Sequence, residues 1–139
     1  MRISKLMRKI CPIAGIVILL VALSGCTNPA RQPEEAKQID ITVEHGKKMI
    51  DGGEVFILDV RTVEEYDAGH INGSVLIPLQ DLEKRLNEIP RDRKILVYCR
   101  TGHRSTQASE ILVKNGFTQV YNMNGGITEW TKAGYEVIK

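Results

Sequence analysis

Near-continuous apolar runs alternate with amphipathic segments from about residue 39 to residue 139. The runs lie at 55–58, 74–77, 95–98 and 120–123. Short runs without polar alternation predict strands that are buried on both faces of a sheet. Because helical segments separate the strands, the pattern predicts an α/β fold in which a mostly parallel sheet carries helices on both faces.

Helix-start signals mark the segments between these runs. Thr42 has the position of an N-cap for a helix at 43–51, which the next two glycines would end. Thr62 and Glu65 have the spacing of a capping box, which predicts a short helix after the first run. Further amphipathic segments lie at 79–89, 105–115 and 127–133.

Chemically distinctive residues follow two of the predicted strands. Asp59 and Arg61 come after the run at 55–58, and Cys99 comes directly after the run at 95–98. In open α/β sheets, ligands bind outside the carboxyl ends of the strands. We therefore expect these three residues to share one edge of the sheet.

The segment after Cys99 is rich in cationic side chains and leads straight into a predicted helix. Free N–H groups at a helix N-terminus bind anions, and this field together with Arg100 and Arg104 favours thiolate over thiol at Cys99. The thiolate is the reactive form of cysteine. The sequence thus predicts a nucleophile held in an anion-binding loop.

Two other interpretations of Cys99 are available. Free cysteines are often inert core residues, but two arginines, a histidine and a glycine follow within five residues and favour the reactive interpretation. A metal site built on Cys99 and His103 would have two ligands where zinc usually takes three or four from protein. No CxxC or HxxxH motif lies nearby to supply the others.

The N-terminal region has the pattern of a targeting segment. Arg2, Lys5, Arg8 and Lys9 precede an uncharged stretch at 10–23, which is short for a membrane span and typical of a signal-peptide core. The tetrapeptide Leu23-Ser24-Gly25-Cys26 resembles the bacterial lipobox. That resemblance implies a signal peptide at 1–25 and a diacylated Cys26; the alternative is an uncleaved signal anchor.

Two acyl chains on Cys26 would give stable membrane anchoring, whereas one chain binds reversibly. The expected location is therefore extracytoplasmic, with the protein lipid-anchored to a bacterial membrane. Residues 26–38, polar and containing Pro29 and Pro33, would form a flexible tether, and residues 39–139 the folded domain.

Processing changes both the thiol count and the charge. Of the three cysteines, Cys11 would leave with the signal peptide and Cys26 would carry lipid, so that Cys99 remains as the free thiol. Residues 1–25 hold four of the 19 basic residues and none of the 17 acidic ones, which leaves a net charge of −2 after processing. This balance gives no indication of a nucleic-acid partner.

Four motifs of the domain resemble those of single-domain rhodaneses, which are thiosulfate sulfurtransferases. The resemblance covers residues 39–139 and implies a rhodanese-like α/β fold with a central five-stranded, mostly parallel sheet. The motifs are Asp59-Val60-Arg61 with Glu65-Tyr66; Gly69-His70-Ile71-Asn72-Gly73-Ser74 with Ile77-Pro78; the loop Cys99–Arg104 with Ser105; and Asn124-Gly125-Gly126-Ile127 with Trp130.

The resemblance also implies a mechanism. Cys99 would take the sulfane sulfur of thiosulfate as a persulfide and pass it to cyanide or a thiol. Asp59 and Arg61 would support the site, and no metal or cofactor would be needed. The expected partners are a small anionic sulfur donor, the cyanide or thiol acceptor and the membrane. No nucleic-acid partner is expected, and the protein would be a monomer. The substrate-binding residues implied are Arg100, Thr101, Gly102, His103, Arg104 and Ser105.

Loop length and the retained cysteine separate related functions. The loop from Cys99 to Arg104 has six residues, whereas phosphatase relatives of the same fold carry one more. Inactive binding modules usually lack the cysteine, which this chain keeps. The residues do not decide between two functions: a sulfurtransferase enzyme, and a membrane-tethered persulfide carrier or thiol-redox partner.

Overall fold

The computed structural model describes residues 36–139. The predicted signal peptide, the predicted lipidation site at Cys26 and most of the predicted tether lie outside this range. Within it, no helix is both long enough and apolar enough to cross a membrane.

Five strands and four α-helices alternate along the described chain, with two short 3-10 helices between the third and fourth strands. In chain order they are β1 (Ile39–Ile41), α1 (Val43–Asp51), β2 (Val55–Asp59), α2 (Val63–Ala68), β3 (Val75–Leu76), the 3-10 helices Leu79–Lys84 and Leu86–Glu88, β4 (Lys94–Tyr98), α3 (His103–Lys114), β5 (Val120–Met123) and α4 (Gly126–Lys132).

The strands form one sheet in the order β1-β5-β4-β2-β3, and every pair is parallel. The predicted α/β fold with a five-stranded parallel sheet is thereby confirmed. β4 occupies the centre, between β5 and β2, so its carboxyl end opens at the middle of the sheet edge. The apolar pattern alone did not locate β1, because its first two residues are exposed and only Ile41 is buried.

Two cores form on the two faces of the sheet because side chains alternate along each strand. On one face, Ile95 and Val97 pack with Ala108 and Leu112 of α3. On the other, Leu96 and Tyr98 pack in a cluster that includes residues of α1 and α4. β4 is therefore buried on both sides, as its unbroken apolar sequence predicts.

Two helical segments differ from the sequence prediction. The segment at 79–89 forms two 3-10 helices, which fits the three-residue spacing of Leu79 with Leu82 and of Leu86 with Ile89. These leucines still pack on the core. α3 begins at His103, two positions before the predicted start, because Gly102 adopts a left-handed conformation that turns the chain directly into the helix.

Candidate functional site

Cys99 lies immediately beyond β4, at the start of the loop that leads into α3. The residue is only 1% exposed, and its neighbours Arg100 and Thr101 are exposed. The thiol thus sits at the base of a loop whose outer surface faces solvent. The expected meeting of Cys99 with Asp59 at one edge is present: β2 and β4 pair in register up to Asp59 and Tyr98.

Gly102 of the loop and Ser105 at the start of α3 contact the Cys99 sulfur. The Gly102 N–H donates to Sγ at 3.1 Å, and the Ser105 Oγ lies 3.6 Å from it. Burial by itself raises the pKa of the thiol, but hydrogen bonding with the Ser105 hydroxyl and with nearby backbone N–H groups lowers it by more. The pKa of Cys99 therefore lies below its ordinary value, which increases the thiolate fraction.

The underside of the loop rests on the start of α4. The Ile127 N–H donates to the Cys99 carbonyl at 2.9 Å, and the Thr128 N–H donates to the Arg100 carbonyl at 3.1 Å. Gly126 permits this approach, since a Cβ at that position would lie 2.3 Å from the Cys99 carbonyl oxygen. The two loop carbonyls are thus held against α4, and the sulfur is left to the loop N–H groups.

The cationic side chains of the loop have unequal roles. Arg104 forms a bidentate ion pair with Glu65 of α2, in which Nη1 lies 2.7 Å from Oε2 and Nη2 lies 2.8 Å from Oε1. Arg100 is exposed and has no ion pair or side-chain hydrogen bond within residues 36–139. His103 is also exposed, with its Nδ1 3.5 Å from the Gln107 amide nitrogen. Arg100 and His103 are therefore available to an anion, whereas Arg104 is engaged.

Glu65 connects two helices at the site. Its carboxylate completes the predicted capping box by accepting from the Thr62 N–H at 3.0 Å, and it also binds Arg104. The hydrogen bond from Arg104 lowers the pKa of Glu65 to about 2, against the opposing effect of burial. Because this pKa is depressed in the folded protein, the pair stabilises the fold above the ordinary glutamate pKa, and the contribution is lost as the pH falls toward 2.

Asp59 and Arg61 form a buried pair beneath this edge. The Arg61 Nη2 lies 2.6 Å from an Asp59 carboxylate oxygen, and the side chains are 5% and 0% exposed. The guanidinium also donates to the backbone carbonyls of Glu65 and Gly69. A pair that is enclosed and hydrogen-bonded in this way fixes the backbone around it.

A second layer of hydrogen bonds holds the Gly102 carbonyl. That oxygen accepts from the Thr106 N–H at 3.0 Å, from the Thr106 hydroxyl at 2.9 Å and from the Ser105 hydroxyl at 3.0 Å. The buried Asn122 amide donates to the Thr106 hydroxyl oxygen at 3.1 Å and to Asp40 at 2.9 Å. Ser105 can therefore turn its proton to the sulfur while Thr106 keeps the carbonyl paired.

Replacing Thr106 with valine is expected to raise the pKa of Cys99. Valine keeps the branched shape and the backbone N–H but removes the hydroxyl, so the Gly102 carbonyl loses one of its three donors, and Ser105 donates more to this carbonyl and less to the sulfur. A lost hydrogen bond of this kind should move the midpoint upward by roughly 0.4–1 pH unit. The measurement is the pH dependence of Cys99 alkylation by iodoacetamide.

Two further variants make this test specific. Thr106→Ser keeps the hydroxyl and should restore the wild-type midpoint. Ser109→Ala is the matched control, because Ser109 is a buried α3 hydroxyl whose Oγ has no hydrogen-bond partner in the described range. An unchanged midpoint in Thr106→Val would show that Ser105 does not depend on Thr106.

Three contributions to the site could not be predicted from the sequence. Glu65 pairs with Arg104, Gly126 allows α4 to approach the loop carbonyls, and Thr106 donates to the Gly102 carbonyl. The sequence places Glu65 in a capping box and a family motif, and Gly126 in a family motif, without indicating these contacts. In residues 36–139, no group of three or more His, Cys, Asp or Glu side chains is placed to hold a metal ion.

Comparison with known proteins agrees with this architecture. A family model described as "Rhodanese-like domain" matches residues 42–133. The chain is 42% identical over 100 residues to YrkF of Bacillus subtilis (strain 168), covering 70% of this chain and 54% of YrkF, so that it spans about half of that relative.

In two other comparisons, the matched region covers most of the related protein. "Thiosulfate sulfurtransferase GlpE" of Pseudoalteromonas translucida is 33% identical over 99 residues, which are 71% of this chain and 94% of GlpE. The crystal structure of a rhodanese-related protein from Thermoplasma volcanium is 33% identical, with a TM-score of 0.67 and coverage of 72% of this chain and 97% of that one. The family model covers more than half of the chain and the fold agrees with it, so the chain belongs to the rhodanese-like domain family.

Proposed function

We propose that the protein is a sulfurtransferase that carries sulfur as a persulfide on Cys99. The observation that carries the proposal is the setting of the thiol: a nearly buried sulfur within hydrogen-bonding distance of Gly102 and Ser105, in a loop that opens α3. Relatives named sulfurtransferase and thiosulfate sulfurtransferase support the same reaction class.

The first half-reaction would load the sulfur. The Cys99 thiolate attacks the outer sulfur of thiosulfate, a new S–S bond forms at Sγ, and the sulfur–sulfur bond of thiosulfate breaks. Sulfite leaves with the bonding electron pair, and Cys99 carries a persulfide. Backbone N–H groups of the loop would stabilise the negative charge on the sulfur.

The second half-reaction would return the enzyme to its starting state. A nucleophile such as cyanide or a thiolate attacks the outer persulfide sulfur, and Cys99 leaves as a thiolate. Because each half-reaction exchanges one S–S or S–C bond for another, no external oxidant or reductant is consumed. Kinetics with two substrates should follow a ping-pong pattern.

Intact-mass measurement tests the proposal directly. The purified protein is incubated with thiosulfate, freed of excess donor and weighed, and a gain of one sulfur on Cys99 is expected together with release of sulfite. Addition of cyanide should then yield thiocyanate and restore the starting mass. Thiosulfate treatment that leaves the mass unchanged would refute thiosulfate as the donor.

A persulfide carrier is the second candidate. YrkF, which is 42% identical over the shared region, is named as a proposed sulfur carrier protein. A carrier would accept sulfur from another protein and would show little turnover with thiosulfate and cyanide. Loading of Cys99 by a persulfidated donor protein, without thiosulfate turnover, would favour the carrier over the enzyme.

Arg100→Ala and His103→Ala are expected to weaken the use of an anionic donor. Each substitution removes an exposed side chain beside the loop but leaves the loop N–H groups in place. The loss in kcat/KM for thiosulfate should be roughly 5- to 150-fold, from about 1–3 kcal/mol for a charge–anion contact, and it should shrink as salt screens exposed charges.

A neutral sulfane donor separates charge attraction from loop damage. Its kcat/KM should fall less than that of thiosulfate in both variants. Lys114→Ala, which removes an exposed cation at the far end of α3, is the control and should leave both donors unaffected. Equal losses for the two donors in Arg100→Ala would mean that Arg100 shapes the loop and does not attract the donor.

We further propose that the protein is extracytoplasmic and anchored through a diacylated Cys26. The lipobox-like approach to this cysteine supports the proposal. Cys26→Ala is expected to move the protein from the membrane fraction to the soluble fraction, or to block processing. Mass analysis of the N-terminal peptide is the direct check, and a wild-type Cys26 without lipid would favour an uncleaved signal anchor instead.

A further inference from the structure

Asn122 is a fully buried polar residue of β5, between β1 and β4 in the sheet. It pairs in register with Val97 of β4, whose side chain belongs to the core that α3 covers. Burying an amide beside apolar side chains is unfavourable unless its polar atoms form hydrogen bonds. The contacts of this amide therefore show what it contributes to the fold and to the site.

The two ends of the Asn122 amide have different surroundings. Nδ2 lies 2.9 Å from Asp40 Oδ1, 3.1 Å from Thr106 Oγ1 and 3.2 Å from Asn124 Oδ1, whereas the amide oxygen has no partner within residues 36–139. An ionised carboxylate can only accept, so the amide with its ends exchanged would set its oxygen against that of Asp40. The edge strand β1, which carries Asp40, thus fixes the direction in which Asn122 donates.

This direction decides where the Thr106 proton goes. A hydroxyl has one proton, and an amide nitrogen does not accept it. Since Asn122 donates to the Thr106 oxygen, the Thr106 proton is left for the Gly102 carbonyl, 2.9 Å away. A hydroxyl that accepts one hydrogen bond also becomes a stronger donor in the next. The chain of donors thus runs in one direction, from the sheet to the loop.

The Gly102 carbonyl is where this chain reaches the surroundings of the nucleophile. The Ser105 Oγ lies 3.0 Å from that carbonyl and 3.6 Å from the Cys99 sulfur. Its single proton points to one of them at a time. When Thr106 supplies the carbonyl, the Ser105 proton can turn to the sulfur, so Asn122 acts on the sulfur through two hydroxyl groups.

Resting on the proposed function, we propose that Asn122 is a positioning residue for sulfur transfer. It keeps the Thr106 proton on the Gly102 carbonyl. The Ser105 proton is thereby free to stabilise negative charge on the Cys99 sulfur, first in the thiolate and then in the persulfide. No proton is gained or lost along the chain, because only the orientation of the hydroxyl groups is set.

Asn122→Asp tests the proposal by reversing the chain with little change in shape. A carboxyl oxygen in place of Nδ2 accepts from Thr106 whether the group is ionised or shares one proton with Asp40, so the Thr106 proton leaves the loop carbonyl. The midpoint of Cys99 alkylation by iodoacetamide should rise by roughly 0.4–1 pH unit, as for Thr106→Val. Persulfide formation from thiosulfate should slow by roughly 2.5- to 10-fold below the midpoint and recover above it.

A double-mutant cycle separates this chain from effects of charge or packing. Thr106→Val has no hydroxyl to redirect, so in that background Asn122→Asp should add no more shift than Asn124→Asp does. Asn124→Asp is the matched control, because Asn124 is exposed and its Oδ1 already faces the Asn122 nitrogen, so it adds a carboxylate without reversing the chain. Asn122→Leu adds no charge and should raise the midpoint by less, since Thr106 loses its donor but keeps its acceptor.

The outcomes distinguish this proposal from the function on which it rests. Shifts of equal size with and without the Thr106 hydroxyl would overturn it, as would an unchanged midpoint in both Asn122 variants. If Asn122→Asp does not fold, Asn122→Leu decides: a rise that vanishes in Thr106→Val supports the proposal, and an unchanged midpoint overturns it. Alkylation does not require sulfur transfer, so a shifted midpoint without persulfide formation would overturn the proposed function and leave the chain of hydrogen bonds standing.

Discussion

Replacing Cys99 with serine is expected to abolish sulfur transfer while the fold remains intact. A serine hydroxyl is of nearly the same size and fits a site that is already polar, with Gly102 and Ser105 as neighbours. It does not ionise near neutral pH and forms no persulfide. Removing a covalent nucleophile should lower kcat by on the order of 10³-fold or more.

The measurement combines the thiosulfate–cyanide assay with intact mass and circular dichroism. The variant should gain no sulfur on incubation with thiosulfate and should keep the wild-type spectrum. Ser105→Ala is an informative companion, since it leaves the thiol in place and should reduce the rate without removing the persulfide. Residual transfer by Cys99→Ser at the wild-type rate would end the assignment of Cys99 as the nucleophile.

Replacing Gly126 with alanine is expected to disrupt both stability and transfer. The new Cβ would meet the Cys99 carbonyl oxygen at 2.3 Å and the Arg100 carbonyl at 2.7 Å, and the backbone at Gly126 has a positive φ of 55°. The cost should be roughly 2–5 kcal/mol in the free energy of unfolding, from about 1–2 for left-handed backbone and about 1–3 for overpacking. Urea unfolding and persulfide formation measure the two effects.

Gly134→Ala provides the control for backbone conformation alone. Gly134 has a positive φ of 81°, but a Cβ at this position would meet nothing within 4 Å. This variant should lose only the conformational part of the stability and should keep full transfer activity. If both variants lose the same stability and both transfer sulfur normally, the close contact beneath the loop is not needed for the reaction.

The sequence predicted the elements of the fold whose apolar pattern matches the burial of their side chains. Runs buried on both faces, such as 95–98, identify their strands, and Thr62 with Glu65 identifies the start of α2. β1 escaped this reasoning because an edge strand with exposed residues lacks the apolar signal. The segment at 79–89 was ambiguous, since spacings of three and four residues are compatible with more than one kind of helix.

The sequence predicted the nucleophile of the candidate site but not the hydrogen bonds and ion pair that hold its loop in place. The position of Cys99 after an apolar run and before a helix is visible in the sequence. The ion pair of Glu65 with Arg104 joins residues that are 39 positions apart, and only tertiary structure decides that this arginine binds a carboxylate. The same holds for Asn122 and Thr106, whose hydrogen bond depends on how α3 packs on β5.

The central place of β4 in the sheet has a consequence for partial unfolding. Amide hydrogen exchange in small domains generally shows that sheet edges open at a lower free energy than the centre. Here β1 and β3 are the edges, with three and two residues, whereas β4 is paired along both sides. The nucleophile is attached to the strand whose amides should exchange last, so fraying at either edge leaves Cys99 in position.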